Sequence, residues 1–239
     1  MLLYYIRHGD PIYNPDSLTD LGKRQAEALS RRLAAHGIDR IFASPSTRAV
    51  QTAEPTAPIL KKDIELLDFC HENLAWADFS VPDTDGENRW IFDNGKYLEL
   101  FASREVFELG RQWYTHPEFK GFNFKAGVER IDKGVDEFLL SLGYEHDRER
   151  ALYRAVNGGS NERIALFAHQ GFGMSFISSV LDMPYPQVST RMDITHSGIS
   201  VFYFDERAGV VVPKLLMLSN DSHIFNDRLP TKYNNFFYV

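Results

Sequence analysis

The sequence has one cysteine, Cys70, among its 239 residues, so no disulfide can close within the chain. A reducing compartment suits such a chain. No run of about 18 uninterrupted apolar residues occurs, so no membrane-spanning helix is expected. The opening Met1-Leu2-Leu3-Tyr4-Tyr5-Ile6-Arg7 is too short for a signal peptide, and no basic region precedes it. The expectation is a soluble cytoplasmic protein. Positive charge is also scarce, with 26 Lys and Arg against 33 Asp and Glu and a formal net charge of -7. That balance argues against non-specific binding to nucleic acid or to an anionic membrane. An anionic ligand must then be drawn in by a local cluster of cations. The eight histidines show no H-x-x-x-H or Cys/His spacing, so neither a zinc site nor any other cofactor is expected. There is no internal repeat and no low-complexity tract.

What is present is an alternation of short apolar runs and helical periodicities. With 44% hydrophobic residues the chain can build one large core. Leu2 to Ile6 reads as a strand buried on both faces. Residues 19 to 36 read as a helix with Ala26, Leu29 and Leu33 on one face and Gly37 as its stop. Ile38 to Ala43 is a second strand, and residues 46 to 54 form a helix ending before Pro55. A further strand is expected over 64 to 70. Residues 127 to 142 form an amphipathic helix carrying Val128, Ile131, Val135, Phe138, Leu139 and Leu142. Ile164 to Ala168 is a buried strand, followed by a helix from Phe172 to Leu181. Gly198 to Phe204 and Val210 to Leu218 read as a hairpin or two neighbouring strands.

The pattern predicts an α/β fold: a three-layer sandwich with a largely parallel central sheet. Residues 77 to 125 stand apart, rich in Trp90, Phe92, Tyr97, Phe101, Trp113, Tyr114, Phe119, Phe122 and Phe124. They read as a helical and loop insert over the active site of a single domain spanning 1–239. Most of those aromatics are expected to form the insert's own small core.

Three segments fall just after predicted strands: Arg7-His8-Gly9, Ser44-Pro45-Ser46-Thr47-Arg48 and His169-Gln170-Gly171. Ligands of open α/β sheets bind beyond the carboxyl ends of the strands, so two arginines and two histidines are candidates to converge there. The set suits phosphate. Arginine grips phosphate oxygens through a planar fork, and a phosphoryl group in transfer is stabilised by positioned cations. A neutral imidazole nitrogen can attack phosphorus, dividing one hard displacement into two easier ones.

These segments carry a resemblance. Arg7 through Asn14 with Leu18-Thr19-Asp20-Leu21-Gly22 resembles the opening of the histidine phosphatase superfamily, the phosphoglycerate mutase-like group. Ala43 to Ala53 resembles its second motif, and Phe167-Ala168-His169-Gln170-Gly171 its second-histidine motif. Ser219-Asn220-Asp221-Ser222-His223-Ile224 resembles a common C-terminal segment. The resemblance implies that His8 is the transiently phosphorylated nucleophile. It implies that Arg7, Arg48 and His169 line the phosphate pocket, with Asn14 and Gln170 as further substrate contacts. It also implies a carboxylic acid after the strand that follows the second motif, which points to Glu72, with Asp68 and Asp78 as alternatives. The chain departs from the family in having Asp10-Pro11 where Glu-Thr is common, and Asn73-Leu74-Ala75-Trp76 where a glycine-rich stretch is usual.

The expected activity is hydrolysis of small-molecule phosphate monoesters without a metal. The rival readings are a mutase of the phosphoglycerate type and a non-catalytic module that binds phosphorylated ligands. The sequence leaves the oligomeric state open, a homodimer included.

Overall fold

A computed structural model describes residues 1–234 and the backbone of Phe237 and Tyr238. The chain opens with β1 (Leu2–Arg7), a small hairpin of β2 (Pro11–Tyr13) and β3 (Asp16–Leu18), and α1 (Asp20–His36). Next come β4 (Arg40–Ala43), α2 (Thr47–Ala53), α3 (Thr56–Leu60), β5 (Ile64–Leu66) and α4 (Glu72–Phe79). A hairpin of β6 (Ser80–Pro82) and β7 (Asn88–Trp90) leads through α5 (Leu98–Phe101) and α6 (Arg104–Glu108) to α7 (Phe124–Ser141). The rest comprises β8 (Tyr144–Asp147), β9 (Leu152–Ala155), β10 (Arg163–Ala168), α8 (Gln170–Leu181), α9 (Tyr185–Ser189) and β11 (Ile199–Tyr203). It ends with β12 (Glu206–Arg207), β13 (Val210–Val211), β14 (Lys214–Asn220), β15 (Lys232–Asn234) and β16 (Phe237–Tyr238).

The central sheet has six strands in the order β14-β11-β1-β10-β4-β5. β1, β10, β4 and β5 are mutually parallel, and β11 runs against both β1 and β14. Strand side chains alternate between faces, and here both faces are apolar. Tyr4, Ile6, Ile41, Ala43, Ala165 and Phe167 pack with Leu29 and Leu33 of α1. Leu3, Tyr5, Phe42, Ile164, Leu166 and Ala168 pack on the other side with Ile131, Val135 and Phe138 of α7 and with Phe172 and Phe176 of α8. This is the expected α/β three-layer sandwich. No helix of the described residues is long and apolar enough to cross a membrane.

Local chemistry sets several boundaries. Thr19 caps α1 by accepting from the Gly22 N–H, and Gly37 ends it at φ 73°. The strand expected over 64 to 70 stops at Leu66, and Asp68–Cys70 turns as a 3-10 helix. The segment 210 to 218 is not one strand. Val210–Val211 joins a separate four-stranded sheet with β9, and only Lys214–Asn220 pairs with β11. Pro213 lies at the break, where its missing N–H interrupts a ladder. The β8–β9 hairpin has no clear periodicity and escaped the sequence reading.

The aromatics of 90 to 124 also differ from expectation. Phe92, Phe101, Trp113, Phe119 and Phe124 belong to the same buried cluster as Leu3 and Leu166. They extend the main core and do not form a small core of their own. Burying them there removes more apolar surface from water than a thin lid could.

One close approach holds the first loop. A Cβ on Gly22 would lie 2.3 Å from the Asp10 carbonyl oxygen, and one on Gly9 would lie 2.7 Å from the Gly22 oxygen. The start of α1 therefore rests backbone to backbone on the Gly9-Asp10 turn. Gly22→Ala should destabilise the fold by about 1–3 kcal/mol through overpacking. A urea midpoint unchanged from the parent chain would contradict this contact.

Candidate active site

The strands β1, β10, β4 and β5 lie side by side and point the same way, so the segments after them emerge along one edge. His8 follows β1, His169 and Gln170 follow β10, Ser46 and Arg48 follow β4, and His71 and Glu72 come after β5 and its 3-10 turn. A pocket of about 530 Å³ opens there. It is lined by Arg7, His8, Arg48, Glu72 and Gln170, all named from the sequence. Tyr13, Asp16, Ser46, His71, Asn73, Trp76 and Trp90 complete the wall.

His8 is nearly buried, at 3% exposure. Its Nδ1 lies 2.7 Å from the Gly9 carbonyl oxygen, to which it can only donate. In the neutral ring the lone pair therefore sits on Nε2. Burial holds the His8 pKa well below 6.5, and the nearby His169, Arg7, Arg48 and His196 push in the same direction. A neutral imidazole with an available Nε2 is the form that can attack an electrophile.

His169 lies behind His8 and does not form part of the pocket lining. It is fully buried, with the ring centroids 5.3 Å apart. Its Nε2 is 2.7 Å from Ser44 Oγ, and its backbone oxygen accepts from the Tyr5 hydroxyl at 2.6 Å. Its Nδ1 is buried with no hydrogen-bond partner. Burial, with Arg48 next, keeps this ring neutral as well.

Arg7 Nη1 donates to the carbonyls of Ile194 and Tyr233, which anchors the guanidinium at the pocket. Arg48 Nη1 donates to Asp16 Oδ1 at 2.7 Å, and its guanidinium lies over the Tyr13 ring. The Nε of each arginine is buried without a protein partner. These are spare donors of the kind that a tetrahedral oxyanion would take.

Glu72 opens α4 and reaches across to the start of α8. Its Oε1 accepts from the Gly171 N–H at 3.0 Å and its Oε2 from the Phe172 N–H at 2.8 Å. The carboxyl thus satisfies two of the orphan donors at that helix end. Burial raises its pKa above 4.5, opposed by the Phe172 N–H, Arg48 and the Gly171 N–H. The alternatives fall elsewhere. Asp68 is exposed and does not line the pocket. Asp78 is held by Arg130 at 2.8 Å and by Asn123 at 2.8 Å, away from the pocket lining.

Asn14, like His169, is a named residue that does not line the pocket. It is exposed at the tip of the β2–β3 hairpin, while its neighbours Tyr13 and Asp16 line the wall. An Asn before a proline in a tight turn needs no ligand to explain it. Sequence reasoning missed Trp76, although a helical signal was available. Trp76 lies four residues after Glu72, on the same face of α4. The stretch Asn73-Leu74-Ala75-Trp76 that departs from the family pattern is therefore the helix that brings an indole into the pocket. His196 was also missed. It is buried 5.7 Å from the His8 ring, with Nδ1 3.3 Å from Asp10 Oδ1. Lys232 Nζ pairs with the same oxygen at 2.6 Å. Nothing in the sequence separation announces that cluster.

Residues 3–78 match the model of the histidine phosphatase superfamily (branch 1), the segment that carries Arg7, His8, Arg48 and Glu72. The chain is 26% identical over 153 residues to "Putative phosphoserine phosphatase 2" of Hydrogenobacter thermophilus, covering 60% of this chain and 68% of that protein. It shares its fold with phosphoserine phosphatase from Entamoeba histolytica, solved in complex with 3-phosphoglyceric acid. That match has a TM-score of 0.58 at 20% identity over 93% of this chain and 98% of the other. A mycobacterial glucosyl-3-phosphoglycerate phosphatase matches with a TM-score of 0.60 at 16% identity over 91% and 98% of the two chains. The N-terminal third of the chain thus matches the histidine phosphatase superfamily (branch 1), and the chain shares its fold with these solved phosphatases over nearly its whole length.

Proposed function

We propose that this protein hydrolyses phosphate monoesters through a phosphohistidine intermediate on His8. The observation that carries the reading is the His8 ring itself. It lines the pocket, kept neutral by burial, with Nδ1 tied to the Gly9 carbonyl and Nε2 left as the lone-pair nitrogen. Arg7 and Arg48 line the same pocket and supply fixed positive charge for the equatorial oxygens. His169, with its ring 5.3 Å from that of His8, supports the nucleophile from outside the pocket lining.

The chemistry balances with these groups alone. The Nε2 lone pair attacks phosphorus and the ester P–O bond breaks. Protonated Glu72 gives its proton to the departing oxygen. The resulting carboxylate then takes a proton from water, whose oxygen attacks phosphorus. The P–N bond breaks, its electrons return to Nε2, and inorganic phosphate leaves. The phosphatase name of the bacterial relative supports this reading. A mutase would use the same pocket but return the phosphoryl group to its substrate, and a product assay on phosphoglycerate separates the two.

His8→Ala should reduce phosphate release to background while the far-UV spectrum and melting temperature stay near those of the parent. Acid quenching of the parent with labelled ester should trap a phosphoprotein that the variant lacks. Persistent turnover in His8→Ala would overturn the assignment. Activity should also survive a chelator, and a strict need for an added divalent ion would contradict the proposed source of charge.

Glu72→Gln should cost alkyl phosphates roughly 10²–10⁴-fold and nitrophenyl phosphate far less, because nitrophenolate leaves without a proton. Asp68→Asn and Asp78→Asn should show no such selectivity.

The pH profile follows from the two shifts. Attack needs neutral His8, whose pKa lies well below 6.5, and departure needs protonated Glu72, whose pKa lies above 4.5. Both shifts widen the acidic window in which the two forms coexist. The profile of kcat/KM should be a bell in the acid range, and Glu72→Gln should lose its alkaline limb. A parent profile that rises steadily through neutral pH would contradict these protonation states.

A further inference from the structure

The phosphate end of the pocket is accounted for by Arg7, His8 and Arg48, but the leaving-group end is not. Its wall is aromatic. Trp76 is 37% and Tyr13 59% exposed, large apolar surfaces left uncovered at the rim of a cleft. Trp90 faces Trp76 edge-on, with ring centroids 5.0 Å apart at 90°. Behind it, Trp90 stacks on buried Phe92 at 5.6 Å and 10°. Trp90 is also pressed onto the start of α8, where a Cβ on Gly171 would lie 2.2 Å from its ring. The indole is thus fixed in place, and position 171 accommodates it only as glycine.

The same end is short of positive charge. Among the described residues, Arg7 and Arg48 are the only arginines in the lining and it holds no lysine, and Arg48 already pairs with Asp16. His71 Nδ1 accepts from the Asn73 N–H at 3.1 Å. Asp16 and Glu72 are the carboxyls of the wall. A leaving group bearing a carboxylate would meet Asp16 and find no lysine and no third arginine among the described residues of the wall. A neutral ring would meet Trp76, Trp90 and Tyr13.

We propose that the leaving-group subsite takes an uncharged, ring-bearing alcohol and disfavours alcohols that carry a carboxylate. Trp76 and Trp90 are its specificity-determining residues. The proposal rests on the phosphomonoesterase reading for its turnover arm and on binding alone for its other arm. A pocket of about 530 Å³ accommodates such a ring beside the phosphate. Under this proposal the chain differs in preferred leaving group from the carboxylate-bearing ligand, 3-phosphoglyceric acid, bound to its Entamoeba histolytica fold relative.

The test compares benzyl phosphate with O-phosphoserine and 3-phosphoglycerate. All three leave as alkoxides of primary alcohols, so intrinsic leaving ability is nearly matched. Kinetic constants are measured on the parent, Trp76→Ala, Trp76→Phe and Trp90→Ala. Dissociation constants are measured by calorimetry on His8→Ala, which cannot turn over. Benzyl phosphate is expected to lead the other two at least tenfold in kcat/KM and in affinity. Trp76→Ala should raise KM for benzyl phosphate roughly tenfold with little change in kcat, and Trp76→Phe should recover most of it. Competitive inhibition by inorganic phosphate should be unchanged in the tryptophan variants, which reports an intact fold and phosphate subsite. Tighter binding or faster turnover of either carboxylate-bearing ester would overturn the proposal. So would an equal loss for all three esters in Trp76→Ala. If benzyl phosphate binds best but no ester is hydrolysed, the subsite stands and the phosphatase reading falls.

Discussion

A parallel sheet buried on both faces has only its ends to offer to water, and that constraint organises this molecule. Side chains along β1, β10 and β4 alternate into two apolar layers. No polar group on those strands can serve a ligand without being desolvated in the core. Chemistry-bearing residues are therefore placed where the strands stop. Because the four parallel strands are neighbours, their ends share one rim and residues more than 160 positions apart meet there. The contact of His8 with His169 follows directly from the Arg7–Ala168 register.

The rim is held by backbone as much as by side chains. Gly9 and Gly22 allow the first loop to lie against the start of α1, and Gln25 Oε1 and Thr52 Oγ1 accept from the Asp10 and Gly9 N–H groups. On the other side, Glu72 joins the end of one strand-loop unit to the helix after another by accepting from two N–H groups of α8. A charged cap at a helix start and the proton donor proposed for this site make opposing demands on one carboxyl. The first favours the anion and burial favours the neutral form, and the balance here lies above the ordinary carboxyl value. The site's proton chemistry is thus coupled to the packing of α4 on α8.

Elsewhere, α7, β8 and α8 are tied by a charged cluster distant in kind from the pocket. Asp132, Asp136 and Asp182 surround Arg111, Arg148 and His146, whose two ring nitrogens lie 2.9 and 2.7 Å from carboxylates. Three carboxylates against two guanidiniums leave one charge to match, and an imidazolium supplies it. Its two carboxylate partners raise the His146 pKa against the opposing effect of burial. Such a cluster is worth little when complete relative to an apolar core, yet costly to leave half-made. Through Arg111, which pairs with Asp132 of α7 and donates to the Ser178 carbonyl of α8, the cluster ties the irregular segment of 92 to 124 to the helix layer.

Local pattern was enough to read the strands at 2–6 and 164–168, the helices around 20–36 and 127–142, and the placing of Arg7, His8, Arg48 and His169 just after strands, whereas Glu72 and Gln170 came from the family resemblance. The readings from pattern follow from near-neighbour physics: apolar periodicity, capping, and the residue types that hold phosphate. What the sequence alone determined was thus the α/β layering and the kind of chemistry on offer. Only the tertiary structure decided which groups meet. It left Asn14 at an exposed turn, set Asp78 against Arg130, placed His169 behind His8, and brought Trp76, Trp90 and His196 to the site. It also split the segment at Pro213 between two sheets and merged the aromatic insert into the main core. The physical reason is range. Periodicity and capping act within a few residues, whereas strand order and helix packing set contacts between residues that the chain itself keeps far apart.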